Sequence, residues 1–571
     1  MRISLRSNVF HSRLPCRKPV FTISVRTLVH KSPYEFYDAT ENGKYTCFAK
    51  YLLGKVWQHS VENPGKAAFI NAHDPSKQRT FRDVYVNALS IATYLYNAGV
   101  RRGDTVSVLM PNSIDTAAIV LGTTIIGGVF SPISASFTPA ELIIQLNDSK
   151  SKVLFVHDKL APVAAAARPK TSLEKVIIVD GVATGDETNF SDVVKTLPSL
   201  DNRVDAARLD DLFCLPYSSG TTGLPKGVML TQKNLFSLID NVAIQFKNEE
   251  FPFLDPPYTP KVDNELLLLP FFHIFGQGML LKSILQGGTA VVMSIFKAEE
   301  FFKIIQDFKL RFIAVAPPIA LALTHHPAVD NYDISSLQAV FSGGAPLASD
   351  VGKALQKRHK NIKYVVQGYG MTESSLAISL PCLRPGKVTP SASVGQLVAG
   401  YEAKIVDIDT KEVLTTTNAV GELWVRSPLI MKGYHNRPEE TAHCLDDEGW
   451  FKTGDMARFD DEGHLFIEDR LKELIKVSAY QVPPAELEHL MHEHPEILDV
   501  AVIGVPCDRR GEVPKAFVVR KSESLTEDAV KEFVAERVSH YKQLNGGVSF
   551  VDAIPKSPAG KILRRELKKL L

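Results

Sequence analysis

Between Ser218 and Val228 the chain reads "SSGTTGLPKGV", which sets Ser218, Ser219, Thr221 and Thr222 among Gly220 and Gly223 and ends on Lys226. Glycines let a backbone turn back and bring its N–H groups close to a ligand, while hydroxyls and an ammonium add donors aimed at an anion. Phosphate is the guest that suits such a set. The spacing differs from GxxxxGK[ST], because Pro225 precedes Lys226 and Gly227 follows it. This is a phosphate loop of another kind.

Five further signals follow in order: "PFFHIFG" (270–276), "SGGAPL" (342–347), "QGYGMTE" (367–373), "FKTGD" with "DRLKELIK" (451–455 and 469–476), and "PKSPAGKILRREL" (555–567). The ordered set resembles the adenylate-forming superfamily, most closely acyl-CoA synthetases of the 4-coumarate:CoA ligase and firefly luciferase type. The resemblance covers nearly everything after the basic N-terminus.

It implies that Ser218, Ser219, Gly220, Thr221, Thr222, Gly223 and Lys226 cradle the β- and γ-phosphates of ATP. Tyr369 then offers an aromatic surface to adenine, Thr372 a donor to the α-phosphate, and Glu373 a hard oxygen ligand for Mg²⁺. Asp455 takes the ribose hydroxyls with Arg470 in support, where by itself it reads as a turn aspartate. Gly343, Ala345, Gln367 and Gly368 join the cofactor-binding set. The implied chemistry joins a carboxylate to the α-phosphate of ATP with loss of pyrophosphate. Both reactants are anions, so positive charge at the meeting point and good positioning dominate the rate. Lys561 matches the lysine that bridges them; alone it would be one of several solvated lysines.

A thiolate then displaces AMP from the acyl adenylate, which makes coenzyme A the implied co-substrate. Lys472 occupies the hinge position about which a small lid domain turns. Lys476 matches a lysine of the thioester stage, and His273 lies where relatives keep a histidine near the acyl pocket. Ser478 and Ala479, before Gln481 on the implied pantetheine path, depart from the usual Lys-Gly. That departure motivates one alternative, an adenylating enzyme with another acceptor, either a carrier thiol or O₂. A non-catalytic ATP- or acyl-binding protein is a third reading, opposed by the intact phosphate-contacting positions and Lys561. Apolar Phe272, Ile274 and Phe275 with the Ala345 turn point to a fatty or aryl acid.

The elements that must hold these residues are short Val/Ile/Leu-rich runs alternating with longer amphipathic ones from Tyr34 onward. They predict an α/β fold of doubly covered mixed or parallel sheets, with antiparallel strands after about Tyr401 and a domain boundary at Asp469 to Lys472. The resemblance implies that these make a large N-terminal domain (35–471) with a β-barrel-like part and a small α+β C-terminal lid domain (472–571) on a hinge. "TFRDVYVNALSIATYLYNAGV" reads as a helix stopped at Gly99. The uncharged stretch Thr116 to Ala140 has a membrane span's length, but Gly127, Gly128 and Pro132 split it into a helix-like and a strand-like half.

Composition narrows the function further. The 571 residues carry 65 basic and 64 acidic side chains, so no global field holds a nucleic acid. The partners implied are small molecules, with no transmembrane span. The 6 cysteines form no CxxC pair, which excludes a zinc site or disulfide framework of familiar spacing. His489, His492 and His494 lie among acids typical of a solvated helix, and His325 with His326 reads as a helix end. Residues 1–34 hold seven Arg or Lys and no acid before Glu35, the composition of a mitochondrial transit peptide. A matrix location follows as the expectation, with the cytoplasm as the alternative.

Overall fold

The computed structural model describes residues 28–38, 40, 46–199, 207–218, 225–471, 473–477, 480–507, 509–538, 540–557 and 560–571. At its centre four parallel strands, Val129–Ile133, Thr105–Leu109, Ser151–His157 and Lys175–Val179, lie side by side. Every residue of the first two is buried, as strands covered on both faces require. The uncharged stretch divides as expected into the helix Thr116–Ile125 and the strand Val129–Ile133, with Gly127 at φ +78° between them. This helix is buried along nearly its whole length. A Cβ on its Gly122 would come within 2.7 Å of the Ala88 carbonyl of helix Phe81–Asn97, so glycine permits the close approach. Among the described residues no helix is long and apolar enough to cross a membrane.

The helix Phe81–Asn97 begins at a capping box. Thr80 Oγ1 accepts from the Asp83 amide (3.1 Å) and Asp83 Oδ2 from the Thr80 amide (2.8 Å). Thr231 and Asn234 repeat the device at helix Gln232–Gln245, which turns the strand Lys226–Thr231 directly into a buried helix. Two further parallel sets complete the α/β body. They are Asn264–Leu267, Thr289–Val292 and Ala67–Asn71 in one, and Phe312–Val315, Ala339–Ser342 and Tyr364–Gln367 in the other. Their C-terminal ends deliver the "PFFHIFG", "SGGAPL" and "QGYGMTE" segments.

The part expected to be barrel-like is a five-stranded antiparallel sheet in the order His30–Lys31, Glu402–Val406, Gly421–Arg426, Phe451–Phe459 and Leu465–Arg470. "FKTGD" opens a nine-residue strand, Phe451–Phe459, where Asp455 by itself reads as a turn aspartate. One feature differs from the sequence reading. Residues 30–37, which fall largely inside the segment read as a leader, are built into the body. His30 stacks on Phe459 (3.9 Å between centroids), Lys31 pairs with Glu402 (2.9 Å), and the Tyr37 backbone exchanges hydrogen bonds with the Asn241 side chain. Residues 1–27 lie outside the described residues.

After Arg470 the chain forms a second unit with its own core. Tyr480–Val482, Ile475–Val477, Gly511–Arg520 and Ile497–Cys507 make its sheet, with Val548–Phe550 added in parallel. Helices Pro484–His492 and Glu527–Ala535 contribute Leu487, Met491, Val530 and Val534 to an apolar cluster whose buried members all follow Leu474. This is the small α+β lid. His489 and His492 lie on the first of these helices. His325 ends a body helix, as read.

Candidate active site

The phosphate-loop run is a hairpin. Tyr217 and Ser218 pair antiparallel with Gly227 and Lys226, so the two ends of the loop are held side by side. Ser219, Gly220, Thr221, Thr222 and Gly223 lie outside the described residues. Lys226 forms an ion pair with Glu440, and its ammonium lies 5.0 Å from the Tyr434 ring centroid. Ser218 Oγ donates to Glu373 Oε1 at 3.1 Å, and Tyr434 OH donates to the same oxygen at 2.8 Å.

Glu373 follows Thr372 in a short 3-10 turn, and each side chain is 8% exposed. The turn descends from the strand Tyr364–Gln367 through two glycines that sterics demand. A Cβ on Gly368 would meet the Phe341 ring at 2.7 Å, and one on Gly370 would lie 1.7 Å from the Leu376 carbonyl. Among the described residues no group of three His, Cys, Asp or Glu could hold a metal. One carboxylate with hydroxyl neighbours nevertheless fits a hard cation that takes its other ligands from phosphate and water.

Asp455 and Arg470 are direct cross-strand partners in the antiparallel sheet, and this register makes their ion pair (3.2 Å). Tyr369 OH donates to the other Asp455 oxygen at 2.5 Å. Asp455 is only 3% exposed; burial pushes its carboxyl up, while Arg470 and Tyr369 hold it down. The carboxylate and Arg470's guanidinium stand together at the end of the body.

The lid supplies the remaining charge. The Lys561 amide donates to Ser557 Oγ (3.1 Å) and its carbonyl accepts from the Ser557 amide (2.8 Å), which closes a tight turn. Gly560, at φ +81°, sits against Pro318 and Ala316 at the start of body helix Pro317–His325; a Cβ there would come 2.9 Å from Pro318 Cδ. The turn thereby seats Lys561 beside the body groups. Burial and the Arg470 charge lower its ammonium's pKa, against the pull of Asp455 and Glu373. His273 caps helix Ile274–Gln286 by accepting the Phe275 amide on Nδ1 (3.3 Å), and burial together with Lys561 pushes it down to about 3. Its ring is neutral and carries the proton on Nε2.

Phe275 lies against Gly343, where a Cβ would meet its ring at 2.8 Å, and makes a T-shaped contact with Phe341 at 5.9 Å. Ala345 is half-buried on the same turn. The amide group of Gln367 bonds the Leu347 backbone on both sides and the Ser391 carbonyl, so it braces the 342–347 turn. Lys476 is exposed on the lid strand Ile475–Val477 and stands apart from this group. Lys472, Ser478 and Ala479 lie outside the described residues, as does the Gln481 side chain. Tyr434 and Glu440 are the residues that sequence reasoning missed. Their signal is "KGYHNRPEET", a glycine–aromatic pair followed by a proline-started acidic helix.

The chain matches the family described as "AMP-binding enzyme" over residues 56–435, and that described as "AMP-binding enzyme C-terminal domain" over 486–561. It is 40% identical over 501 residues to a 4-coumarate–CoA ligase of Nicotiana tabacum, spanning 86% of this chain and 89% of the relative. It is 38% identical to a probable CoA ligase of Humulus lupulus, spanning 89% and 90% of the two chains. The crystal structure of an anthranilate–CoA ligase in complex with anthranoyl-AMP superposes with a TM-score of 0.80 at 26% identity, covering 92% of this chain and 97% of that one. A Mycobacterium tuberculosis fatty acyl CoA synthetase follows at 0.68 and 29%, covering 91% and 98%. The chain belongs to the AMP-binding enzyme family, on the acid–CoA ligase side of the adenylate-forming superfamily.

Proposed function

We propose that this enzyme activates an aryl acid with ATP as the acyl adenylate and then transfers the acyl group to coenzyme A. The observation that carries the reading is the arrival of lid Lys561 among body residues Asp455, Arg470, Glu373 and His273. In the first step a carboxylate oxygen attacks the α-phosphorus, the bond to the β-phosphate oxygen breaks, and pyrophosphate leaves with the electron pair. Lys561 offsets the repulsion between the two anions where they meet, and Thr372 donates to the α-phosphate. Asp455 accepts the ribose hydroxyls while Arg470 pairs with it, and Tyr369 lies under the adenine. Ser218 and Lys226 flank the β- and γ-phosphates, with Lys226 exchanging Glu440 for them. Mg²⁺, held by Glu373 through one carboxylate, would neutralise part of the phosphate charge. In the second step the thiolate sulfur attacks the acyl carbon and AMP departs with the bonding electrons. Lys472 and Lys476 serve that stage, when the lid has turned.

An aryl acid is favoured over a long fatty chain on two grounds. The wall at the acyl end is the T-shaped Phe275–Phe341 pair, with Phe246 packed behind Phe341 at 6.0 Å. The relatives named 4-coumarate–CoA ligase reach 40% identity over 86% of the chain. A pyrophosphate-release screen over acids of graded length and aromaticity, with and without CoA and with products read by mass spectrometry, tests this. Cinnamate-like acids should turn over fastest and give acyl-CoA. A preference for long alkyl acids would move the substrate class. Acyl-AMP without acyl-CoA would favour another acceptor, the reading that Ser478 and Ala479 motivate.

The acid-free basic start supports import into the mitochondrial matrix. A reporter fused behind residues 1–34 should enter mitochondria, and a cytosolic or peroxisomal reporter would contradict this.

A further inference from the structure

The lid helix Pro484–His492 starts without a cap of its own, since its N-cap residue is Pro483 and no side chain there bonds a helix amide. The missing acceptor comes from across the domain boundary. Asp469, on the last body strand Leu465–Arg470, accepts the Ala485 amide on Oδ2 at 3.0 Å, and its other oxygen accepts the Arg470 amide at 2.6 Å. The side chain is buried, with the residue 7% exposed. Asp469 and Arg470 are neighbours on one strand, so their side chains leave it on opposite faces. Arg470 turns to Asp455 and the site, while Asp469 turns to the lid helix.

That helix is tied in turn to the turn carrying Lys561. Glu488, one turn along it, accepts both terminal nitrogens of Arg564 at 2.6 and 3.2 Å, and Arg564 Nε donates to Glu473 at 2.9 Å. Arg564 lies three residues beyond Lys561. A continuous path of hydrogen bonds therefore runs from the body strand through the lid helix to the segment that seats the lysine.

We propose that Asp469 is a positioning residue for Lys561: by capping the lid helix from the body side, it holds the lid in the orientation that brings the lysine against Asp455 and His273. The inference rests on the adenylating reading above. Loss of a side-chain cap weakens a helix start by a factor of about 5. Here the same loss falls on lid docking, because cap and helix belong to different domains. Asp469 itself touches neither nucleotide nor acid, and a defect in it should divide the two half-reactions unequally.

The test uses the full-length chain with Asp469→Ala, Asp469→Asn and Lys561→Ala, alone and with Asp469→Ala added to Lys561→Ala. Single-turnover acyl-AMP formation should fall about 5-fold in D469A, while acyl-CoA formation from supplied acyl-AMP stays near the wild-type rate. D469N keeps an oxygen for the Ala485 amide and should restore most of the first rate. The double variant should be no slower than K561A alone, since both changes act through one lysine. Equal losses in both half-reactions, or a further loss in the double variant, would overturn the proposal. Amide hydrogen exchange across 484–492 is read on the same samples and needs no substrate. Faster exchange in D469A than in D469N is expected, and identical exchange in wild type and D469A would refute the cap even if no acid is turned over. Absence of pyrophosphate release in the wild type, with the exchange difference present, would count against the ligase reading alone.

Discussion

The body and the lid contribute charge to the same site in opposite ways. On the body every ion is compensated before any ligand arrives: Asp455 by Arg470 and Tyr369, Glu373 by two hydroxyls, and Lys226 by Glu440. The lid brings Lys561, lowered in pKa by burial and by Arg470, on a turn that reaches the body through Gly560. The body groups are fixed by strand register and by glycines that only close packing explains, so on the proposed reading they form a permanent receptor for nucleotide. The lysine is there only while the lid is docked. A site divided in this way can bind nucleotide first and switch on its chemistry by bringing in one charge.

The sharpest way to break the body half is Asp455→Ala. It removes the carboxylate that pairs with Arg470 and accepts from the Tyr369 hydroxyl, and should lower stability by about 3 kcal/mol, the lower end for a buried pair because Arg470 is partly in solvent. Nucleotide affinity should fall with it, as titration calorimetry and a thermal melt would register together. Unchanged ATP binding would remove Asp455 from the ribose.

His273 sharpens the contrast through pH. Its folded pKa is about 3 against the usual 6.5, so the folded state binds the proton more weakly than the unfolded chain. Its contribution is complete above pH 6.5 and declines as pH falls toward 3, by up to about 1.4 kcal/mol per unit. Compared with His273→Asn, the wild type should lose extra stability between pH 7 and pH 5. Parallel melting curves for the two proteins would show that the ring is not held neutral by burial and Lys561.

The N-terminal strap tests whether the body is as rigid as its pairing suggests. Deleting residues 1–34 removes the His30–Phe459 stack, the Lys31–Glu402 pair and a strand edge, and should lower the melting temperature by about 5 °C. The smallest effect is expected at Glu440→Gln, which frees Lys226 and should lower the KM for ATP about 2-fold, as befits a half-exposed pair. A raised KM would mean that Glu440 positions the lysine instead of competing for it.

What could be read in the sequence was the chemistry carried by local runs. "SSGTTGLPKGV" raised a phosphate loop because such a loop needs glycines, hydroxyls and a cation within ten residues, and the parallel strands were visible because doubly covered strands are apolar throughout. The pairing of Asp455 with Arg470 could be expected only from the resemblance, because it depends on the register between two strands, which a local run does not show. Tyr434 and Glu440 were missed for the same reason: they reach Glu373 and Lys226 from more than 60 residues and more than 200 residues away in the chain. The strap was hidden by its basic neighbours, because a two-residue strand such as His30–Lys31 has no periodicity to detect.

The most direct test of the divided site is Lys561→Ala, measured for ATP binding, acyl-AMP formation and acyl-CoA formation from supplied acyl-AMP on one preparation. ATP should bind within about 3-fold of wild type, because the receptor on the body is intact. Acyl-AMP formation should fall about 10²-fold or more, comparable to losing a key electrostatic stabiliser. Thioester formation from the supplied adenylate should persist. Equal losses in all three would contradict the account, since Lys561 would then be holding the fold together and the body alone would not be the receptor.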